Sequence, residues 1–482
     1  MSQKSLAKNS LFFMCYKLLG VVFPLITVSY VSQVLLANGV GKVSSAQNIV
    51  QYFVLIAALG IPNYGIREAA MVRENTKQRS ILFSELFSIN FISTTVCLIA
   101  YYLMVSKLTI YRNEITLYLV AGINIFLNYF NVDWFYQGLE EYSYITKRSF
   151  IIKIVSLVLL FTFVRQPRDY IDYALIYVFG FAGNSIINFI NLRKYNIRFS
   201  LKEANVLKHI KPVMVMLCTT VAIELYTLVD TTMITFMCDS ENVAYYTNSI
   251  KIVRLVITLV TSIGGVLLPR LSYNKAQGMI EECENIVNKV FAIMFFLLVP
   301  SGVGLFILSE TIVYVFFGYS FEGAIVTLKI ASFLVYALGF SNLFGTQVLL
   351  TFGEEKKLFY ATVCGAISNI ILNSVLIRFY QQNGAAVASI VSELLVTGIT
   401  FYYARNHLRI SMNIPFIFKV LLSSALMGTC VFLVSELNFN KLLSLVICTG
   451  LGILVYIVLN IILKNEVLYE VGAFVKKKLP RR

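Results

Sequence analysis

The residues of this chain best able to do chemistry are charges and amides set inside long apolar stretches, where water does not otherwise reach. Lys251 and Arg254 stand one helical turn apart, and Thr258 and Thr261 continue the same face. In the preceding stretch Thr220, Glu224, Thr227 and Thr231 recur at helical spacing, with Asp230 about 80 to 100° around the axis. An ionised side chain at the centre of a membrane helix costs about 2.5 to 3.5 kcal/mol, so it persists only against a cavity, a partner or the interface. The cationic face therefore suits an anionic ligand. Glu224 and Asp230 are candidates for an acid that tunes or titrates that face, and so for proton or cation sites, H+ or Na+. The structural alternative for the same residues is an ion pair of Glu224 with Lys251 or Arg254 that holds helices together.

The first half of the chain supplies matching polar groups: Lys17, then Ser44, Asn48 and Gln51. Lys17 can instead snorkel to the interface. A further stretch carries Asn124, Asn128 and Asn131 on one face and Asp133, Gln137 and Glu140 nearer the other, with the only tryptophan, Trp134, between them. One of these faces is expected to bond across to a neighbouring helix and the other to meet water. The candidate binding set is thus Lys17, Asn48, Gln51, Asn128, Asp133, Lys251 and Arg254. Glu85 and Glu393 are single carboxylates in apolar surroundings, facing either a cavity or a nearby hydroxyl or base. His209 and His407 fall in basic gaps, with no partners for metal or triad chemistry. The eight cysteines are scattered singly without CxxC spacing, which predicts apolar packing and no metal site. The chain contains no GxxxxGK[ST] phosphate loop, nucleophile elbow or HExxH motif. No enzymatic activity and no cofactor beyond a coupling ion are expected.

The elements that must position these residues are membrane helices. With 58% hydrophobic and 13% charged residues among 482, most of the surface must face lipid. A hydrocarbon core of about 30 Å needs about 20 helical residues per crossing. Fourteen spans are read near 12–36, 42–64, 80–105, 114–137, 148–164, 170–191, 210–237, 243–268, 286–308, 323–350, 357–379, 383–404, 415–436 and 441–463. The stretches are continuously apolar and do not alternate, so the predicted fold class is all-α and not a barrel. Of the 40 lysines and arginines, 29 fall at the termini and in every second gap, eight in the other gaps, and Lys17, Lys251 and Arg254 inside spans. By the positive-inside rule both termini are cytoplasmic. The net charge of +15 is then a topology signal, and no nucleic-acid partner is expected. The tail residues Lys476, Lys477, Lys478, Arg481 and Arg482 suit anionic lipid headgroups. The first apolar segment, long and without a cleavage site, reads as a retained helix and not a signal peptide.

The most polar gap, Arg193 to Lys211, reads as a linker between two six-helix halves. An internal echo supports duplication: Phe126, Asn128, Phe130, Glu140 and Glu141 recur 214 residues later as Phe340, Asn342, Phe344, Glu354 and Glu355. A second echo relates Ala46-Gln47-Asn48-Ile49 to Thr247-Asn248-Ser249-Ile250. Both halves start on the same side, so the repeat is parallel, with pseudo-two-fold symmetry about an axis along the membrane normal. The expected domains are an N-terminal lobe over 1–200, a C-terminal lobe over 201–410, and two extra helices with a basic tail over 411–482.

Particular runs resemble a known family. Phe23-Pro24-Leu25-Ile26-Thr27, Gly39-Val40-Gly41, Ala46-Gln47-Asn48-Ile49-Val50, Leu59 to Glu68 and Asp133-Trp134-Phe135-Tyr136-Gln137-Gly138-Leu139-Glu140 are similar to Wzx-type polysaccharide (O-antigen) flippases. That resemblance covers the first 150 residues best and is diffuse beyond them. It implies the multidrug/oligosaccharidyl-lipid/polysaccharide exporter superfamily, with two six-helix lobes around a cavity and alternating access. It also implies a multi-pass protein of the bacterial plasma membrane moving polyprenyl-pyrophosphate-linked oligosaccharide repeat units for O-antigen, capsule or teichoic-type polymers. A pyrophosphate would be drawn to Lys17, Lys251 and Arg254, and sugars to amides and hydroxyls. Polysaccharide polymerase and chain-length proteins are the partners implied. The competing readings are a multidrug and toxin exporter of the same superfamily, whose cationic substrates a basic cavity would repel, and a membrane glycan polymerase or ligase, for which the outer gaps are short.

Overall fold

The computed structural model describes residues 6–200, 204–261, 267–411, 413–437 and 439–468, without the side chains of 6–19, 21–22, 219, 222–223, 225–227 and 267–269. Among the described residues every regular element is helical, in agreement with the all-α expectation. Among the described residues nine helices are long and apolar enough to cross a membrane by length and composition. Two of these are kinked double-length helices, each covering two of the spans read from sequence. The side chain of Lys17 and the basic tail lie outside what is described.

The chain forms two compact units, Met1–Thr235 and Phe236–Arg482. The first contains α1 (Leu6–Ala58), α2 (Ile61–Met71), α3 (Thr76–Lys107), α4 (Ile115–Leu127), α5 (Asp133–Gly138), α6 (Tyr142–Phe163), α7 (Tyr170–Asn191) and most of α8 (Leu207–Met237). α1 carries the first two spans and kinks at Leu36, whose φ of 60° is costly for a residue with a Cβ. Asn75 starts α3 by accepting the Gln78 amide at 3.1 Å. α4 stops at Asn128, where one 3-10 turn and an extended Asn131 interrupt the span before α5. Backbone freed inside a membrane must find partners. Here Asn90 Nδ2 donates to the Asn128 carbonyl at 2.8 Å, and Asn128 Nδ2 returns to Asn90 Oδ1 and Thr94 Oγ1, each at 2.9 Å. Trp134 lies against Gly65, where an added Cβ would come within 2.7 Å of the indole.

The second unit contains α9 (Ser240–Thr261), α10 (Leu267–Ala276), α11 (Ile280–Ile307), α12 (Ser309–Phe316), α13 (Ala324–Ala331), α14 (Leu334–Ser341), α15 (Leu350–Phe352), α16 (Glu355–Ala404), α17 (Ile414–Ser435) and α18 (Lys441–Ile462). α16 holds two spans and kinks at Gln381, φ 49°. Its arms approach so closely that a Cβ on Gly384 would lie 2.3 Å from the Leu376 carbonyl oxygen. Between α14 and α15, Asn342–Leu349 is π-helical. The regular helix therefore ends at Asn128 in one unit and at Asn342 in the other, two positions that the 214-residue echo pairs. α17 and α18, read as an appendage, pack together and against α11 and α12.

One difference from the expected domains has a clear cause. The first unit runs on to Thr235, so it includes nearly all of α8, which the linker had assigned to the second lobe. Side-chain hydrogen bonds from α8 to α1 and α3, described next, hold it there.

Candidate functional site

α1 and α8 meet through short polar side chains. Asn48 Nδ2 donates to Thr232 Oγ1 at 2.7 Å, the Tyr52 hydroxyl lies 2.8 Å from the same oxygen, and Thr235 Oγ1 donates to Ser45 Oγ at 3.1 Å. Position 45 pairs with 235 and 48 with 232, so the two helices run antiparallel. Asp230 and Thr231 are buried, and the charge of Asp230 reaches Tyr52. Gln51 is half-buried one residue away, and Glu224 is half-buried about 9 Å back along α8. The candidates Asn48 and Asp230 thus share one seam, while Thr232 and Tyr52 were missed. Their signal was two polar pairs at i, i+3 in opposite order on the two helices.

On α9, Lys251 and Arg254 are both exposed on the surface of the second unit. Lys251 Nζ donates to Asn248 Oδ1 at 3.2 Å, and Asn248 itself is fully buried. The lysine is thus steadied from below while its charge stays accessible. The core of this unit also holds polar pairs, of whose members sequence reasoning singled out Glu393 alone. Asn369 and Asn373 are fully buried and bonded to each other at 3.0 Å, Tyr246 meets Ser389 at 3.0 Å, and Ser341 Oγ donates to the buried Glu393. Asn369 and Asn373 stand at i, i+4, a spacing visible in the sequence.

Two candidates of the first unit bond to neighbouring helices. Asn128 is buried and its amide is engaged by Asn90 and Thr94. Asp133, one third exposed, takes Arg148 Nη1 at 3.2 Å and the amide of Asn188. Arg148, counted with the gap residues in the sequence, lies in α6 and is 5% exposed.

Both histidines have hydrogen-bond partners. His209 Nε2 lies 2.8 Å from Glu85 Oε2 and its Nδ1 2.7 Å from the Tyr64 hydroxyl. Glu85 Oε1 also accepts the Asn205 amide at 2.6 Å and Lys208 Nζ at 2.9 Å. The partners lie 124 residues apart in the chain, so no local pattern announces them. His407 Nε2 lies 3.0 Å from Glu354 Oε1, which also takes Lys357 Nζ at 2.6 Å. The Lys357 hydrogen bond, opposed by partial desolvation and aided by His407, holds the Glu354 carboxyl below its usual range. Among the described residues no group of three histidine, cysteine or acidic side chains could hold a metal ion.

Two compact helical units, broken helices at matching repeat positions and accessible cations inside a span define the class: a multi-pass membrane protein with a transporter fold. The chain belongs to the polysaccharide biosynthesis protein family, whose model matches residues 6–275. The model described as lipid II flippase MurJ matches residues 149–465. A relative in Escherichia coli (strain K12), named "Putative O-antigen transporter", is 22% identical over 84% of this chain and 97% of its own length. The lipid II flippase MurJ of Bacillus subtilis (strain 168) is 28% identical over 38% of this chain and 34% of its own. Among solved structures, lipid II flippase MurJ in an inward closed conformation matches with TM-score 0.75 at 16% identity, covering 95% of this chain and 99% of that one. An inward-facing multidrug resistance MATE family transporter matches with TM-score 0.63 at 13% identity, covering 80% of this chain and 94% of that one. At these identities the structural likeness is one of fold.

Proposed function

We propose that this protein is a flippase carrying polyprenyl-pyrophosphate-linked oligosaccharide repeat units from the inner to the outer leaflet of a bacterial plasma membrane, for surface polysaccharide synthesis. The observation that carries the reading is the pair Lys251 and Arg254: two accessible cations one turn apart on a membrane-spanning helix, in a member of a polysaccharide biosynthesis family. A basic surface inside the bilayer attracts a pyrophosphate and repels cationic drugs. Lys17 is assigned to the same anionic group, and Gln51 and Asp133 to sugar. Transport runs by alternating access, with Glu224 or Asp230 exchanging H+ or Na+. Both termini are cytoplasmic, and a polysaccharide polymerase and chain-length proteins take up the flipped unit.

Each lost charge-assisted contact is worth about 1.5 to 3 kcal/mol, which is about 10- to 100-fold. The test is a strain in which Lys251→Gln and Arg254→Gln replace the native residues at unchanged protein level. Surface polysaccharide should fall at least about tenfold while polyprenyl-linked repeat units accumulate. Normal polysaccharide with no accumulated precursor, in that strain and in a deletion strain, would refute the reading.

A further inference from the structure

A buried arginine at the first turn of α3 has no place in this transport scheme. α3 is 32 residues long, and its N-terminal turn, where Asn75 Oδ1 accepts the Gln78 amide, carries partial positive charge. Thr76 and Lys77, which begin it, are exposed. Arg79 curls back onto this turn: its Nη2 donates to Thr76 Oγ1 at 2.9 Å. The residue is 7% exposed, and among the described residues its Nε and Nη1 have no hydrogen-bond partner. Buried guanidinium donors left unmet cost free energy that a ligand can recover.

The surroundings favour an anion. Of the nearby acids, Glu74 is exposed just ahead of the N-cap, and Glu140 faces Arg73 at 3.6 Å. Glu141 bonds Tyr195, whose ring feels the charge of Arg79. The segment after α7 lies along the same turns, with the Arg198 amide on Ser80 Oγ at 3.2 Å and the Ser200 amide on Ser84 Oγ at 3.0 Å. It brings Arg198 toward the site. An exposed helix N-terminus, two unmet guanidinium nitrogens and the neighbouring Lys77 and Arg198 together match an oxyanion.

We propose that the first turn of α3 and Arg79 form a binding site for a phosphate group, borne by an anionic lipid headgroup or by free phosphate. The full-length protein is placed in nanodiscs of phosphatidylcholine, with or without phosphatidylglycerol, and with inorganic phosphate or chloride at equal ionic strength. Thermal unfolding is measured for the native protein, Arg79→Gln and Arg79→Lys. The native protein should gain stability from phosphate, from phosphatidylglycerol or from both. Arg79→Lys, which keeps the charge and so protects folding, should weaken the apparent affinity about tenfold. A shift with phosphate in phosphatidylcholine alone identifies the free ion, and one that needs phosphatidylglycerol identifies the headgroup. If Arg79→Gln does not fold, native mass spectrometry of the native protein and Arg79→Lys reads bound phospholipid or phosphate directly. The proposal is overturned if the native protein responds to neither probe, or if the variants respond equally, since the donors then meet only water.

Discussion

Replacing Glu85 by alanine perturbs the point where α8 is fastened to α2 and α3. The carboxylate is 1% exposed and accepts from the Asn205 amide, Lys208 Nζ and His209 Nε2. Lys208 is 51% exposed, so its share is discounted to at most about 1 kcal/mol. The buried contacts to His209 and Asn205 are worth about 1.5 to 3 kcal/mol each. Removing one partner of such a buried set costs about 3 to 5 kcal/mol in total, because His209, 2% exposed, is stranded. In a unit of about this size each kcal/mol moves the midpoint by about 2 to 4 °C, so a fall of about 6 to 20 °C is expected. Glu85→Gln keeps the shape and one acceptor, and should fall about half as far. The chain has one tryptophan, and Trp134 is buried in this unit 6.4 Å from the Phe83 ring, so tryptophan fluorescence, excited selectively over the tyrosines, reports this unit on heating. A Glu85→Ala midpoint within about 2 °C of the native protein would show that the cluster contributes under about 1 kcal/mol and that the reasoning fails.

Thr232→Val removes the hydroxyl shared by Asn48 and Tyr52 and should destabilise the protein by about 1 to 3 kcal/mol, read by the same fluorescence melt. The double variant with Asn48→Ala should lose less than the sum of the two single losses, because both remove one contact. Gly65→Ala drives a Cβ to 2.7 Å from the Trp134 indole and should cost about 1 to 3 kcal/mol, with partial rescue by Trp134→Phe. Glu354 has a depressed carboxyl pKa, so its stabilisation is present above the ordinary carboxylate range and disappears as pH falls through the lower folded value. Native protein should therefore lose more of its unfolding midpoint than Glu354→Gln between about pH 5 and pH 3, and parallel curves would contradict the pairing with Lys357 and His407.

Much of the architecture was legible because a membrane constrains composition. Apolar length set the helices and the echo paired Asn128 with Asn342, but that regular helix ends at both positions came from the structure, since both had been read inside continuous spans. The candidate site was legible in type more than in detail. Lys251 and Arg254 stood out because charge within an apolar run is costly, whatever surrounds it. Asn128 looked equally polar, yet its amide closes a break against Asn90 and Thr94, and helical spacing does not tell a groove from a seam. Arg148 counted as a gap residue until α6 was seen to begin at Tyr142 and carry it into the interior.

The sequence by itself determined that the chain is an all-helical, multi-pass membrane protein with an internal repeat and cations stranded inside a span. Those follow from transfer free energies that act residue by residue. Only the tertiary structure decided that α8 packs with the first unit, that His209 and Glu85 form a buried pair, and that Arg79 keeps two donors unmet among the described residues. Each of these joins or fails to join groups distant in the chain, and such pairings are chosen by packing, to which local periodicity is blind.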